Sequence, residues 1–207
     1  MTIKTIQVGP IMTNCYLLCD EAAGQCALID PGDDAARVEK LVQESGCALE
    51  YILLTHGHFD HTSAVRPLLA QHPDVPVYIH EKDSVDGPGG ELRFSRVEEK
   101  NQRYYKEGDV ITVGSIPLRV METPGHSEGS VCLLAEGERV MFAGDTLFRC
   151  SCGRCDFPGG DYRKMLTSLS RLAALEGDWR VLPGHDMETT LDFERRANPY
   201  MKQGTAR

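Results

Sequence analysis

Three observations predict an α/β fold built of two sheet-containing halves. Short apolar runs of strand length recur along the whole chain, and stretches with helical periodicity interleave with them. No segment rich in Gly, Ser or Pro divides the halves, so the layers are expected to share one domain spanning residues 1–207.

Composition bounds the possibilities. The 207 residues are 41% hydrophobic and 26% charged, which suits one globular domain able to bury most of its unfolded surface without disulfide staples. A formal net charge of -9 argues against a nucleic-acid backbone or an anionic membrane as the main partner. Met1 opens no charged-then-apolar leader, and no apolar run approaches the roughly 18 residues of a membrane span. The eight cysteines are scattered, and Cys15, Cys26 and Cys132 sit in apolar runs where free buried thiols are common. A reducing cytoplasm is the expected location.

In chain order, Ile3 to Val8 alternates apolar and polar residues and breaks at Gly9-Pro10, which reads as a half-buried strand and a turn. Cys15 to Leu18 and Cys26 to Ile29 form a hairpin pattern that ends at Asp30-Pro31-Gly32, a turn with a carboxylate at its tip. Asp33 or Asp34 is the expected cap of a helix running to about Ser45, with Ala36, Val38, Leu41 and Val42 as its stripe and Gly46 as its stop. Tyr51 to Leu54 is a continuous apolar strand. Ser63 to Gln71 reads as a short helix and Val75 to Ile79 as a strand. Glu81 to Asp109, broken at Gly87-Pro88-Gly89-Gly90, has no clear period and is expected to be surface loop and irregular helix rimming a site. Four strands follow at Val110 to Val113, Ile116 to Met121, Ser130 to Leu134 and Arg139 to Phe142. Asp161 to Leu175 is an amphipathic helix capped by Asp161, Arg180 to Leu182 a last strand, and Thr189 to Arg196 a terminal helix.

The stretch Thr55-His56-Gly57-His58-Phe59-Asp60-His61 follows the Tyr51 to Leu54 strand directly and packs three imidazoles and a carboxylate together. The same grammar, an apolar strand running into a tight turn that ends in a metal-ligating residue, recurs at Thr123-Pro124-Gly125-His126, Ala143-Gly144-Asp145 and Pro183-Gly184-His185. Strand ends that lie near one another can aim such residues into one cleft. The candidate set is therefore His56, His58, Asp60, His61, His126, Asp145 and His185; His72 and His80 stand outside the pattern. Five imidazoles with two carboxylates suit Zn(II), Fe(II) or Mn(II) better than Ca(II) or Mg(II), which prefer all-oxygen shells. The set exceeds the four ligands of one tetrahedral zinc and fits two divalent ions sharing a carboxylate. Such a pair would generate a hydroxide near neutral pH and polarise a carbonyl or phosphoryl group.

These residues, in this order, resemble the metallo-β-lactamase superfamily. The resemblance covers nearly the whole chain and implies a four-layer αβ/βα sandwich with a binuclear site on its edge. It implies that His56, His58 and His126 hold one metal, that Asp60, His61 and His185 hold the other, and that Asp145 bridges them; Asp60 is further implied in proton transfer. Enzymes that are β-lactamases proper usually lack a bridging Asp in this position. Gly144-Asp145-Thr146-Leu147-Phe148, the run from Gly153 to Asp161 and the closing Asn198-Pro199-Tyr200 are similar to the glyoxalase II-like branch. That branch hydrolyses glutathione thioesters such as S-lactoylglutathione, so a small-molecule thioester is the implied substrate, and Arg154 is a candidate anchor for a substrate carboxylate. The longer members carry a C-terminal helical extension that contributes to glutathione binding; here only a short segment follows His185, so the resemblance is to the short, single-domain members.

The run Cys152-Gly153-Arg154-Cys155-Asp156-Phe157 also resembles persulfide dioxygenases of the same superfamily. These use a single Fe(II) at the counterparts of His56, His126 and Asp145. Pro183-Gly184-His185 and the complete second set keep the hydrolase pattern. A non-catalytic metal-binding module would explain the ligands but not a set large enough for two ions, and the acidic balance disfavours the nuclease branch. Cys150, Cys152 and Cys155 lie close after Asp145, and oxidation there is a conceivable disturbance of the site.

Overall fold

The computed structural model describes residues 1–84, 94 and 97–205. The first sheet contains β1 (Thr2–Val8), β2 (Thr13–Asp20), β3 (Gln25–Ile29), β4 (Ala48–Leu53), β5 (Val77–His80) and β6 (Gln102–Tyr105), in that spatial order. β1, β2 and β3 pair antiparallel, and β3 to β6 pair parallel. The second sheet is ordered β14-β13-β10-β9-β8-β7, from β7 (Val110–Val113), β8 (Ile116–Glu122), β9 (Val131–Ala135), β10 (Val140–Gly144), β13 (Arg180–Pro183) and β14 (Thr189–Thr190). Its pairs are antiparallel apart from β10 with β13. A small separate hairpin joins β11 (Leu147–Phe148) to β12 (Ser151–Cys152).

Strand alternation builds the layers. Cys15, Leu17 and Cys19 on β2 face one core, whereas Tyr16 and Leu18 face another. Val131, Leu133 and Ala135 on β9 meet that second core from the opposite sheet, while Cys132 and Leu134 turn to a third. Both faces of the central strands are thus buried, which is why their sequences read as unbroken apolar runs. The outer face of the first sheet is covered by α1 (Ala35–Gln43) and α3 (Val65–Leu69), through Val38, Val42, Val65 and Leu68. The outer face of the second sheet is covered by α4 (Tyr162–Ala173) and α6 (Pro199–Thr205), through Met165, Leu169, Leu172 and Met201. Helix, sheet, sheet and helix stack in that order, an αβ/βα sandwich. All eight cysteines are free, and no helix among the described residues is long and apolar enough to cross a membrane.

Some elements depart from the sequence expectations for identifiable reasons. The helix expected over Ser63 to Gln71 is the shorter α3, with Pro67 in its first turn, where a missing N–H costs nothing, and an unexpected single turn, α2 (Phe59–Thr62), precedes it inside the histidine cluster. Asp34 precedes α1 but does not cap it with its side chain; its carboxylate accepts from Gly9 N and Arg37 Nη1 instead. Asp161 does cap α4, accepting from Arg163 N and Lys164 N. The expected terminal helix is β14, then α5 (Leu191–Ala197), then α6, because Pro199 cannot continue α5. Within Glu81 to Asp109 the structure forms a 3₁₀ turn at Glu81–Asp83 and the edge strand β6, and the Gly87 to Gly90 break lies outside the described residues.

Candidate metal centre

All seven predicted ligands meet where the two sheets present their strand ends. His56 and His58 leave β4, His126 lies between β8 and β9, Asp145 follows β10, and His185 follows β13. Asp60 and His61 sit on α2, a single turn whose N-cap residue is His58. His58 makes no side-chain cap, because its imidazole points into the cluster with Nδ1 2.8 Å from His126 Nε2. On the other side, Asp60 Oδ2 lies 3.1 Å from His185 Nε2 and 3.4 Å from His61 Nε2. Asp145 stands between the two groups, with Oδ2 3.5 Å from His126 Nε2 and 3.6 Å from His185 Nε2. Its Oδ1 lies 3.4 Å from His61 Nε2.

The backbone there is shaped by glycines that leave no room for a side chain. A Cβ on Gly184 would stand 2.2 Å from Asp145 Oδ1, and one on Gly153 1.9 Å from the Asp145 carbonyl oxygen. Both turns therefore let main chain pass directly against Asp145, Gly184 at its carboxylate and Gly153 at its backbone carbonyl.

A supporting set of hydrogen bonds aims the imidazoles. His61 Nδ1 is 3.0 Å from Asp30 Oδ2, and Asp30 accepts from Thr55 N at 2.7 Å and from Thr55 Oγ1 at 2.6 Å. His126 Nδ1 is 2.7 Å from the carbonyl of Arg154, which leaves Nε2 facing the cluster. Thr13 Oγ1 donates to Asp60 Oδ2 at 3.2 Å. Second partners of this type fix tautomer and ring orientation in metal sites. In the sequence the Asp30 turn carries no mark of a site role, and neither do Thr13 and Thr55. The sequence shows Asp30 only as a carboxylate at the tip of a buried strand; the structure adds a φ of 51°, which few side chains adopt.

Electrostatics divide the imidazoles into two kinds. Burial pushes His56 well below the ordinary histidine range, reinforced by the His61, His126 and His58 rings around it. Burial and His126 likewise lower His58 to about 4. Burial would lower His61 too, but the Asp145, Asp30 and Asp60 carboxylates outweigh it and raise the group to about 9. Asp60 falls far below the usual carboxylate range: burial opposes this, and the His185 hydrogen bond with the His61 and His185 charges overcomes it.

The donor chemistry fits a metal pair. His56 Nε2 and Asp145 Oδ1 are buried inside the cluster with no hydrogen-bond partner, a costly state for polar atoms unless a cation satisfies them. His56, His58 and His126 offer ligand atoms within 4.8 Å of one another, and so do Asp60, His61 and His185.

The cluster opens into a cleft of about 470 Å³ whose walls include Ile11, Phe59, Phe148, Ser151, Cys152, Arg154 and Phe157. Arg154, the expected substrate anchor, lies in this wall. Its guanidinium is forked onto Asp156 at 2.7 and 2.6 Å and stacks 4.0 Å from the Phe157 ring centroid. Behind the wall, Glu194 accepts from Cys150 N, Thr189 Oγ1 and Asn198 Nδ2. Asn198 Nδ2 also donates to the carbonyl of Ser151, so the closing Asn-Pro-Tyr run acts as a brace for the β11–β12 hairpin.

A two-sheet sandwich with His and Asp donors gathered on one edge defines a metal-binding class of protein. The Metallo-beta-lactamase superfamily profile matches residues 8–185, and the chain belongs to that superfamily. Hydroxyacylglutathione hydrolase GloC of Haemophilus influenzae is 32% identical, over 97% of this chain and 98% of its own. Among solved structures, the BLEG-1 B3 metallo-beta-lactamase superposes with a TM-score of 0.85 at 32% identity, covering 97% of this chain and 99% of its own. TTHA1623 in a di-iron-bound form gives 0.80 at 36% identity, covering 95% and 99%. ETHE1 from Myxococcus xanthus gives 0.82 at 30% identity, covering 96% and 84%.

Proposed function

We propose that this chain is a binuclear metal-dependent hydrolase that cleaves a small-molecule thioester such as S-lactoylglutathione. The observation that carries this reading is the double donor set with Asp145 between its halves and His56 Nε2 and Asp145 Oδ1 left without hydrogen-bond partners. His56, His58 and His126 would hold one ion, Asp60, His61 and His185 the other, with Asp145 shared. Zinc suits this donor mixture best, with iron and manganese as alternatives. When bound, the ions supply a hydroxide nucleophile at neutral pH and polarise the thioester carbonyl.

The chain's own residues do the rest. Asp60, kept ionised by His185 and His61 and oriented by Thr13, lines the cleft, where it would relay a proton from the attacking water to the departing sulfur. Asp30 holds the His61 ring so that Nε2 faces the centre. Phe59, Phe148 and Phe157 give the cleft apolar walls against which the substrate would pack. Arg154 can exchange its Asp156 partner for a substrate carboxylate, because that pair is exposed and contributes little by itself. The likeness to the Haemophilus hydrolase supports the thioester as substrate, and the di-iron structure supports room for two ions.

A second reading, a persulfide dioxygenase with one Fe(II), is favoured by the likeness to ETHE1. Two assays on the metal-loaded chain separate them. The hydrolase reading expects thiol release from S-lactoylglutathione and no oxygen uptake with glutathione persulfide, with Asp145→Ala abolishing turnover while the circular dichroism spectrum persists. Oxygen uptake without thioester cleavage would replace it with the dioxygenase.

A further inference from the structure

Asp83 is a buried carboxylate outside the donor set, 2% exposed, at the end of the 3₁₀ turn that follows β5. No cation pairs with it among the described residues. Its charge is instead held by donors from two separate loops. Gly57 N, between His56 and His58, donates to Oδ2 at 3.0 Å. Ser127 Oγ, next to His126, donates to Oδ2 at 2.6 Å, and Gly129 N donates to Oδ1 at 2.7 Å. Ser130 Oγ, 2.6 Å from Ser127 Oγ, completes the chain.

The loops are built around this one side chain. A Cβ on Gly57 would stand 2.4 Å from the Asp83 carbonyl oxygen, and one on Gly129 2.7 Å from Asp83 Cγ and Oδ1. Neither contact could relax without moving the 3₁₀ turn, because the first is with backbone and the second with a side chain fixed by three hydrogen bonds. Three ligands, His56, His58 and His126, come from these two loops, and Asp83 is hydrogen-bonded to both. Its three hydrogen bonds hold the Asp83 carboxylate beside these loops, and a divalent cation held by the adjacent imidazoles would be attracted by it.

We infer that Asp83 is the positioning residue of the His56–His58–His126 half-site: it ties the two ligand loops together at the spacing a cation needs and favours a cation there over an empty cluster. The inference rests on the metal-binding reading above but concerns only one half of the centre. It assigns Asp83 no contact with substrate or ion.

The test is zinc affinity, measured by chelator competition on the full-length chain after metal removal, together with thermal unfolding of the metal-free proteins. Asp83→Asn keeps the shape but puts an amide where backbone N–H groups need an acceptor. It should weaken one of the two zinc affinities by about 10–100-fold, the usual cost of losing an outer-shell partner, and leave the other within about threefold. Asp20→Asn is the control: Asp20 is also buried and accepts from Ser115 N and Ser115 Oγ, both at 2.7 Å, but it ties β2 to the β7–β8 turn away from the centre. It should lower thermal stability and leave both affinities unchanged. Ser127→Ala, which removes a single donor, serves if Asp83→Asn does not fold, and should weaken the same affinity several-fold. Wild-type affinities in the Asp83 and Ser127 variants, or an equal loss in the Asp20 variant, overturn the inference while leaving the metal centre standing. Failure of the wild-type chain to bind zinc would overturn both.

Discussion

His56 and His61 carry the same side chain within one short stretch, yet their surroundings send their proton affinities in opposite directions. His56 faces other imidazoles and stays neutral; His61 faces Asp145, Asp30 and Asp60 and holds its proton up to about pH 9 in the metal-free chain. An incoming cation must displace that proton, so metal binding to this half of the centre is coupled to proton release at neutral pH. The thiols beside the cleft follow burial in the same way. Burial, with the neighbouring Cys155, pushes Cys152 up to about 12, and burial with Asp161 and Asp156 pushes Cys155 up to about 11. Only the thiolate is nucleophilic, so both thiols are inert at physiological pH, which argues against the oxidation switch that their spacing raised. Iodoacetamide at pH 8 should therefore modify exposed Cys150 and spare Cys152 and Cys155, as read by peptide mass spectrometry. Their reaction should climb toward pH 11 as thiolate forms; equal labelling of all three at pH 8 would contradict this account.

At the scale of elements, the closing Asn-Pro-Tyr run gives a prediction that separates wall from chemistry. Asn198 donates to Ser151 O and Glu194 Oε2 and accepts from Tyr200 N and Met201 N, so one side chain joins the start of α6 to the β11–β12 hairpin. Asn198→Ala should cost about 1–3 kcal/mol, because it leaves buried partners unsatisfied. Its effect on thioester turnover should fall on KM, since Phe148, Ser151 and Cys152 line the cleft while no metal donor moves. Denaturant unfolding and steady-state kinetics check the two parts; a collapse in kcat at unchanged KM would contradict the brace. The sequence made this run visible only as a resemblance, not as a physical device. It did make the strands legible, because elements buried on both faces write continuous apolar runs, as β2, β9 and β10 do. The ligand tips were legible because each follows such a run through a glycine turn or, at His56, through Thr55. The elements it concealed are those that tertiary contacts impose. β6 is a polar edge strand with Tyr105 as its inward anchor, α2 is one turn with no side-chain cap, and the β11–β12 hairpin has two-residue strands. The roles of Asp30, Thr13 and Asp83 were concealed because they exist only once distant loops have met.

The whole molecule is a sandwich whose middle core, with Tyr16, Leu18, Leu133 and Phe142 among its buried members, sets the two sheets face to face. That packing brings the ends of β4, β8, β10 and β13 to one edge, and every candidate ligand follows one of those ends or sits on the turn of helix after it. The sheet faces are rigid because their interiors are close-packed, which lets loops carry ligands with the precision a metal pair requires. A single-ion enzyme would need only part of this set. Whether the chain holds two ions or one is therefore decisive, and elemental analysis of the chain, purified without chelator or added metal, reads that number. About two ions of zinc, iron or manganese per chain are expected, the number that a bridged donor set of this kind holds. About one ion per chain, mainly iron, would contradict the binuclear reading and place the dioxygenase reading first.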